Sequence, residues 1–208
     1  MKLVDQTLSG FVDLTASSAP APGGGAVSAL EGAMGAALTA MVCSLTQGKK
    51  KYEEYQGLTA EVAGQAQTLK EKFVDVIDRD TEAFNAVSAV FALPKDTDEE
   101  KAVRSDAMLS ALKGCTKTPF EMMELAVKAL ELTDRVVGKS NASAASDLGC
   151  AALSLKAAVQ GAWLNVLINI AGMKDQEFAD HYRAQGEAIL KKALPLADSI
   201  YEKVLSSL

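Results

Sequence analysis

The segment from Pro20 to Tyr52 restricts the possible folds more than any other part of this chain. Two prolines and the triplet Gly23–Gly25 open it, and an alanine- and glycine-rich run then continues to Gly48 and three lysines. Within the run, large apolar side chains and small ones each recur at helical spacing. Because a helix that is apolar all round is buried, the segment predicts a central helix with a small-residue face that another backbone approaches closely.

A second long apolar segment extends from about residue 141 to Gly172 and contains few polar residues. Two of these, Asp147 and Asn165, are 18 residues apart, which is five helical turns and puts them on one stripe of a helix. No run shows the period-two alternation of a strand. The sequence therefore predicts one all-α domain over residues 1–208, a single bundle of about seven helices.

Two fully apolar helices present more apolar surface than one bundle of 208 residues readily buries. A surplus small-residue face is readily buried against a second copy of the same chain, so we expect a homodimer whose contact includes part of this helix pair. The first apolar segment approaches the length of a membrane span. Glu31 interrupts it, however, and alanine and glycine supply little hydrophobic drive, so we expect no membrane insertion.

Glycine and proline residues set the predicted limits of the other helices, since they end or begin helices according to position. The predicted helices are residues 3–17, a long helix from Glu53 to about Leu93 before Pro94, one from Ala102 to Leu112 that closes at Gly114, one that opens at Thr116–Pro119 and closes at Gly138, and one or two from Asp175 to Leu208 with a break or bend at Pro195.

Composition and charge exclude several classes of function. The net charge of −6 argues against nucleic-acid binding, because nucleic-acid-binding surfaces are basic. The three cysteines and the single His181 form no metal-ligand spacing, so we expect reduced buried thiols, a surface histidine and no metal. The N-terminal residues lack the pattern of a secretory signal. We expect a soluble, cytoplasmic protein whose chemistry rests on carboxylates, amides, lysines and backbone dipoles.

Asp80 occupies an apolar position in a helical seam. The seam steps alternately by four and three residues through Phe73, Ile77, Asp80, Phe84, Val87 and Phe91, which is heptad spacing. A carboxylate in such a position loses hydration and becomes protonated unless it is paired. Either a basic partner such as Lys49 or Arg79 neutralises it, or it balances a cationic substrate or serves as a general base with a raised pKa.

Three other groups admit both structural and functional interpretations. The backbone N–H groups of Gly23–Gly25 at a helix start suit an anion or a carbonyl oxygen, or the glycines only allow a tight turn and close helix contact. Lys49–Lys51 either cap a helix C-terminus or bind an anionic tail. Asn165 and Asn169 either make interhelical hydrogen bonds or line a polar pocket with Asp147 at one end.

Several motifs of this chain resemble those of the cyclodeaminase/cyclohydrolase family of folate one-carbon enzymes. They extend from Pro20 to Ile170 and comprise PAPGGG, LTQGKKKY, Leu93-Pro94-Lys95 with TDEEK, Ser146-Asp147 and GAWLNVLINI. Stand-alone bacterial methenyltetrahydrofolate cyclohydrolases are the most similar group within the family. The family pattern Asn-x-Asn before the Ser-Asp pair is reduced here to Asn141 and Ser143, which puts the usual substrate preference in question.

The resemblance implies an enzyme that hydrolyses 5,10-methenyltetrahydrofolate to 10-formyltetrahydrofolate with no cofactor beyond the folate. The alternative within the family is formimidoyltetrahydrofolate cyclodeaminase, which releases ammonia, and the alternative outside it is a non-catalytic helical scaffold or binding protein. The implied catalytic residues are Asp80 as base or charge balance, Lys49 for the anionic tail or the transient oxygen, and Asp147 for the pterin. The implied substrate-binding residues are Gly23, Gly24, Gly25, Lys50, Tyr52, Asn141, Ser146 and Asn165.

Overall fold

The computed structural model describes residues 2–208, which contain six α-helices and no strand. The helices are α1 (Leu8–Thr15), α2 (Gly24–Ser44), α3 (Gln56–Val90), α4 (Asp98–Val136), α5 (Ala145–Ile170) and α6 (Gln176–Leu205). Short 3₁₀ turns form at Leu3–Asp5, Lys50–Tyr55 and Ala142–Ala144. The predicted all-α fold is confirmed, with six helices in place of about seven.

The central helix of the bundle is α2, which packs between α3 and α5, while α4 contacts both of those neighbours. Two glycines allow this packing: a β-carbon on Gly32 would overlap the ring of Phe73 on α3, and one on Gly35 would overlap Leu155 on α5. The start of α2 faces Asn165, near the end of α5, so these two helices run antiparallel. The close approach predicted for the small-residue face is confirmed.

One helix, α4, is continuous where the sequence predicts two helices divided near Gly114 and Pro119, so that prediction is wrong. A proline inside a helix removes the hydrogen bond to the carbonyl four residues earlier, which here belongs to Cys115. Asn169 of α5 donates an Nδ2–H group to this carbonyl at 2.9 Å. A side chain from a neighbouring helix therefore replaces the missing backbone donor, a compensation that local sequence does not reveal.

Other predicted helix limits also differ from the structure. The first helix begins only after Thr7, whose side chain caps it, and the residues before it form a separate turn. Helix α4 begins before the predicted Ala102, because Thr97 and Glu100 form a capping box. The last helix, α6, crosses Pro195 without a break. For α1 and α4 a capping side chain sets a limit that the sequence prediction misplaced, whereas α6 agrees with the alternative of one helix.

One face of the α2–α5 pair is not covered by the other helices of residues 2–208. Its exposed apolar side chains are Met34, Met41 and Leu45 on α2 and Leu153, Leu164 and Ile168 on α5. Both helices are long and apolar enough to cross a membrane by length and composition, although most of α2 is buried in the bundle. A large exposed apolar patch marks an interaction site, and this patch lies where the dimer contact is predicted.

The cysteines and the histidine lie in different parts of the fold. Cys43 and Cys115 are buried thiols, whereas Cys150 is exposed on α5, so the prediction of buried thiols is wrong for Cys150. His181 is exposed on α6, as predicted. Among residues 2–208, no three histidine, cysteine or acidic side chains are grouped so that they could hold a metal ion.

Candidate active site

A cleft of about 400 Å³ opens where the start of α2 meets α3, α4 and α5. Its polar lining consists of Gly23, Gly24 and Gly25 at the start of α2, Asp80 and Thr81 on α3, and Asn165 and Asn169 on α5. Its apolar lining includes Phe84, Val87, Leu112 and Ile168. The predicted seam is thus buried at Phe73 and Ile77. Its next members, Asp80, Phe84 and Val87, line the cleft, and Phe91, just after α3, is exposed.

Asp80 lies against the first turn of α2, with its carboxylate next to Gly25. A β-carbon on Gly25 would overlap the carboxylate, so glycine makes room for the acid at this position. The backbone N–H group of Ala26 stabilises the charged carboxylate, and the N-cap residue Gly23 offers no side chain for that purpose. The carboxylate of Asp80, on a neighbouring helix, therefore lies where a capping side chain of α2 would lie.

Burial controls the ionisation of Asp80. It raises the pKa of this carboxyl group to about 6, and a backbone N–H group opposes part of the rise. No ion pair within residues 2–208 includes Asp80, and the adjacent Arg79 forms two hydrogen bonds with Glu121 instead. The other basic partner considered from sequence, Lys49, lies beyond the far end of α2. The carboxylate is therefore available to a ligand.

The amide side chains of Asn165 and Asn169 line the α5 wall of the cleft. Their Nδ2 groups donate to the carbonyls of Gly161 and Cys115, each at 2.9 Å. The bond from Asn169 joins α5 to α4, which agrees with the interpretation that these amides make interhelical hydrogen bonds. Because both amides use their nitrogen atoms for structure, their Oδ1 atoms remain as acceptors for a ligand.

The site residues that the resemblance implies do not include Asn169 or Thr81, although both line the cleft. The sequence nevertheless marks Asn169 as a possible pocket residue, because it lies one turn beyond Asn165 on the same helical stripe. The Thr81 hydroxyl is buried without a hydrogen-bond partner among the described residues. Other helical threonines, such as Thr116, donate to the carbonyl four residues earlier. For Thr81 the sequence offers only its position next to Asp80.

The remaining predicted site residues lie at the opposite end of α2, in a group that we call the lysine end (residues 46–52 and 141–147). Asn141 N–H donates to Thr46 Oγ1 and Ala142 N–H donates to the Tyr52 hydroxyl, both at 2.9 Å. The bond from Ala142 is the main cause that lowers the pKa of Tyr52, and the charge of Lys51 contributes to it. The group is completed by exposed Lys49, Lys50 and Ser146 and half-buried Asp147.

The length of α2 separates these two groups. With 21 residues at about 1.5 Å per residue, α2 is about 30 Å long. Along α5, Asp147 is 18 residues from Asn165, or roughly 27 Å. A single pocket with Asp147 at one end is therefore not formed within one chain, because the stripe that joins these residues is longer than the cleft. Only Gly23–Gly25, Asp80 and Asn165 come together.

Comparison with known proteins gives a consistent result. Residues 7–188 match the family described as formiminotransferase-cyclodeaminase. The chain is 42% identical over 202 residues to the methenyltetrahydrofolate cyclohydrolase of Methylorubrum extorquens, and the match covers 97% of each protein. It is 31% identical over 191 residues to the formimidoyltransferase-cyclodeaminase of Rattus norvegicus, of whose length it spans 35%.

The fold is also that of a solved structure, the formiminotetrahydrofolate cyclodeaminase of Thermotoga maritima. The TM-score is 0.80 at 27% sequence identity, and the match covers 98% of this chain and 96% of the other. Motifs, fold and full-length relatives thus agree, and this chain belongs to the formiminotransferase-cyclodeaminase family.

Proposed function

We propose that this chain hydrolyses 5,10-methenyltetrahydrofolate to 10-formyltetrahydrofolate in the cleft at the start of α2. The observation that carries the proposal is the unpaired carboxylate of Asp80, whose pKa burial raises to about 6. Among the described residues that line the cleft, Asp80 is the one charged side chain, so the cleft favours a cationic ring. The Methylorubrum relative, at 42% identity over 97% of its length, is named for this reaction.

The chemistry follows from the positive charge that the substrate carries over its N5–C–N10 bridge. Asp80 balances this charge and takes a proton from the water that attacks the bridge carbon. The new C–O bond gives a tetrahedral adduct. The bond from carbon to N5 then breaks, N5 takes the hydroxyl proton, and the oxygen becomes the formyl carbonyl on N10. One water is consumed and one proton is released, so this balance requires only the folate and water.

The other walls of the cleft suit the rest of a pterin. The apolar side chains of Phe84, Val87 and Leu112 give a flat ring a surface on which to pack. The Oδ1 atoms of Asn165 and Asn169 accept hydrogen bonds from the amino and ring N–H groups of the pterin. Backbone N–H groups in the first turn of α2, at its positive end, donate to the pterin carbonyl oxygen.

The proposal includes a homodimer formed by the uncovered face of α2 and α5. Exposed apolar residues on that face, such as Met34 at 53% and Leu164 at 66% exposure, pack against a second copy of the face. A parallel pairing of the two α2 helices brings Lys49–Lys51 of both copies together, which like-charge repulsion disfavours. An antiparallel pairing instead places the lysines of one copy beside the Asp80 cleft of the other.

The antiparallel pairing gives each predicted site residue a place in one composite site. Ile168 on the rim of the cleft is 72% exposed, so the cleft opens toward the face that the second copy covers. The partner's lysine end then borders the cleft and brings Lys49, Lys50, Tyr52, Asn141, Ser146 and Asp147 to it. In this arrangement the partner's Lys49 stabilises the oxygen of the tetrahedral adduct.

A second candidate function is formimidoyltetrahydrofolate cyclodeamination. Its support is the Thermotoga maritima cyclodeaminase, whose fold this chain shares at a TM-score of 0.80, and Ser143 in place of the usual asparagine. In that reaction N10 bonds to the formimidoyl carbon on N5 and its proton moves to the imino nitrogen, which gives a tetrahedral adduct with an amino group. A second proton converts this amino group into a leaving group, its bond to carbon breaks, and ammonia leaves the bridged methenyl cation. The carboxyl group of Asp80, with its raised pKa, supplies the proton.

One experiment separates these functions. Each folate is supplied in turn, and loss of the methenyl absorbance is measured against release of ammonia. The proposed function predicts loss of absorbance without ammonia, and the second candidate predicts ammonia. A non-catalytic scaffold predicts neither signal and no folate-induced rise in melting temperature, whereas a ligand at 100 times its Kd adds about 2.7 kcal/mol to stability.

We also propose that the protein acts in the cytoplasm. Burial raises the pKa of the Cys43 thiol to about 11 and also raises that of Cys115. Buried, protonated thiols without disulfide partners suit a reducing compartment. Fractionation of the native host, with the chain followed by antibody, tests this location.

A further inference from the structure

Thr81 lines the cleft, and the proposed hydrolysis gives it no role. Its hydroxyl oxygen is buried and has no hydrogen-bond partner among residues 2–208. Buried polar side chains in proteins are almost always hydrogen-bonded, because leaving such a group unpaired costs stability. An unpaired hydroxyl in the wall of a cleft therefore indicates a partner that enters the cleft.

Other threonines in the helices show what Thr81 lacks. The hydroxyl groups that donate to the backbone carbonyl four residues earlier are those of Thr15, Thr39, Thr59, Thr68, Thr116 and Thr133. Such a bond is the usual way in which a helix satisfies a threonine hydroxyl. Thr81 lies inside α3, four residues after Ile77, and yet it makes no such bond. The helix alone therefore does not account for the position of this hydroxyl group.

Thr81 directly follows Asp80 on α3, and both residues line the cleft. Successive residues of a helix differ by about 100° in direction, so these two side chains do not face each other. They act together only through a small molecule that lies between them. Water suits this place, because it donates two protons while a carboxylate and a hydroxyl oxygen both accept.

We propose that Thr81 positions the water that attacks the substrate, with its Oγ1 accepting a hydrogen bond from one water proton while Asp80 accepts the other. The inference rests on the proposed function, because it requires the methenyl bridge to lie in the cleft. With both protons engaged, a lone pair of the water oxygen points at the bridge carbon, and this orientation lowers the barrier to attack.

The step keeps the balance of atoms already given for the hydrolysis. As the C–O bond forms, one water proton passes to Asp80. The other stays on the oxygen as the hydroxyl proton of the tetrahedral adduct until N5 takes it. Thr81 forms no covalent bond and loses no proton, and the second lone pair of the Ile77 carbonyl is free to accept the proton of its hydroxyl group. Thr81 is thus a positioning residue.

The stability of the free protein separates this role from a structural one. Thr81→Val replaces the hydroxyl with a methyl group of the same shape. Because the hydroxyl is buried and unpaired, the substitution removes a desolvation cost and loses no hydrogen bond. The midpoint of urea unfolding should therefore stay the same or rise. A lower midpoint would show that the hydroxyl has a structural partner, and would overturn the proposal.

The kinetic test compares Thr81→Val with Thr81→Ser, and Thr68→Val is the control. Thr68 is an exposed residue of the same helix, and its hydroxyl donates to the carbonyl of Gly64. Thr81→Val is expected to lower kcat by roughly 2- to 10-fold, the effect of one neutral hydrogen bond, with KM nearly unchanged. Thr81→Ser keeps the hydroxyl and should recover most of this loss, and Thr68→Val should match the wild type.

Two further measurements distinguish water from other partners of the Thr81 hydroxyl. Binding of 5-formyltetrahydrofolate, a folate without the bridge, needs no attacking water, so its Kd should be equal in the wild type and Thr81→Val. The pH at which kcat/KM rises should also be equal, because Asp80 remains the base. A weaker Kd would assign the hydroxyl to the folate, and a shifted pH would assign it to the Asp80 carboxylate. Either result overturns the water role.

Failure of this inference is distinct from failure of the proposed function. A wild type that hydrolyses the substrate, together with an unchanged kcat in Thr81→Val, would leave the hydrolysis intact and remove Thr81 from it. The same conclusion follows if Thr81→Ser is as slow as Thr81→Val. A wild type that does not hydrolyse methenyltetrahydrofolate removes both proposals.

Discussion

Gly25 lies directly beneath the carboxylate of Asp80, so closely that a single β-carbon on the glycine would overlap the acid. The N-cap of α2 has no capping side chain of its own, and the carboxylate of Asp80 on α3 lies beside the first turn in its place. The candidate base is therefore also part of the scaffold. This dual role explains how a half-buried carboxylate keeps its position without a cationic partner.

Gly25→Ala is expected to lower kcat by about 10²-fold, the scale of losing one acid–base group. The added methyl group forces either the carboxylate or the start of α2 to move, and such overpacking destabilises by about 1–3 kcal/mol. Steady-state kinetics and urea unfolding measure the two effects. The control is Gly64→Ala in α3, where a β-carbon meets nothing and helix propensity rises. Full activity in the Gly25 variant would show that the contact is unimportant.

Asp80→Asn is expected to lower turnover by about 10²-fold or more without unfolding the protein. The pH dependence distinguishes a base from a structural residue. Because the folded-state pKa is raised to about 6, the carboxylate is protonated and inactive as a base below that pH, and kcat/KM should rise through it and then level off. The asparagine variant should lack this rise. A wild-type profile that is flat across pH 6 argues against Asp80 as the base.

Leu153→Glu is expected to give a folded monomer, because it places a charge on the uncovered apolar face. Leu205→Glu is a control of matched exposure, since the two leucines are 49% and 51% exposed and Leu205 belongs to α6, which does not form that face. Sedimentation velocity measures the oligomeric state, and circular dichroism confirms that the helices remain. If the first variant stays dimeric, or if the wild type is monomeric, then the face has another use.

Subunit mixing is expected to restore activity if the site is composite. One protein carries Asp80→Asn, and the other carries alanine at Lys49, Lys50 and Lys51, which are all exposed. In a mixed dimer one site has both defects and the other has none. Random association should therefore give about a quarter of wild-type activity. Mixtures as inactive as their parents would place the whole site within one chain, and full activity of the lysine variant alone would remove the lysines from the mechanism.

Asn169→Leu is expected to destabilise the protein by about 1–3 kcal/mol, because it leaves the buried carbonyl of Cys115 without a donor. In a Pro119→Ala background, the alanine N–H group can donate to that carbonyl, so the same substitution should have a smaller effect. Urea unfolding of the two single variants and the double variant measures the coupling. Additive effects would mean that the amide does not substitute for the missing backbone bond.

Hydrophobic periodicity correctly predicted the helices whose formation depends mainly on local sequence. The small-residue helix and the second apolar helix form as predicted, because a helix that is apolar on every side is stable mainly when it is buried. Asp80 was recognisable as a polar residue in an apolar seam. Its availability to a ligand was not, because that depends on where Arg79 and Glu121 meet across two helices.

Tertiary compensation explains what the sequence could not predict. Pro119 looked like a helix boundary because its missing donor is visible in the sequence, whereas the amide of Asn169 that replaces it is 50 residues away. The sequence also did not show that Asp80 and Asp147 lie far apart in one chain. Helical spacing shows that two residues share a stripe, but not whether the stripe lines one pocket or joins two distant ones.

The length of α2 has a consequence for how this chain can change. In the composite arrangement, a single helix sets the spacing between the two halves of both active sites in the dimer. An insertion or deletion of one turn would displace both sites together, in opposite directions along the shared axis, and no local loop could absorb the error. Surface segments such as residues 92–97 can vary in length, whereas the proposed composite site requires α2 to keep its number of residues.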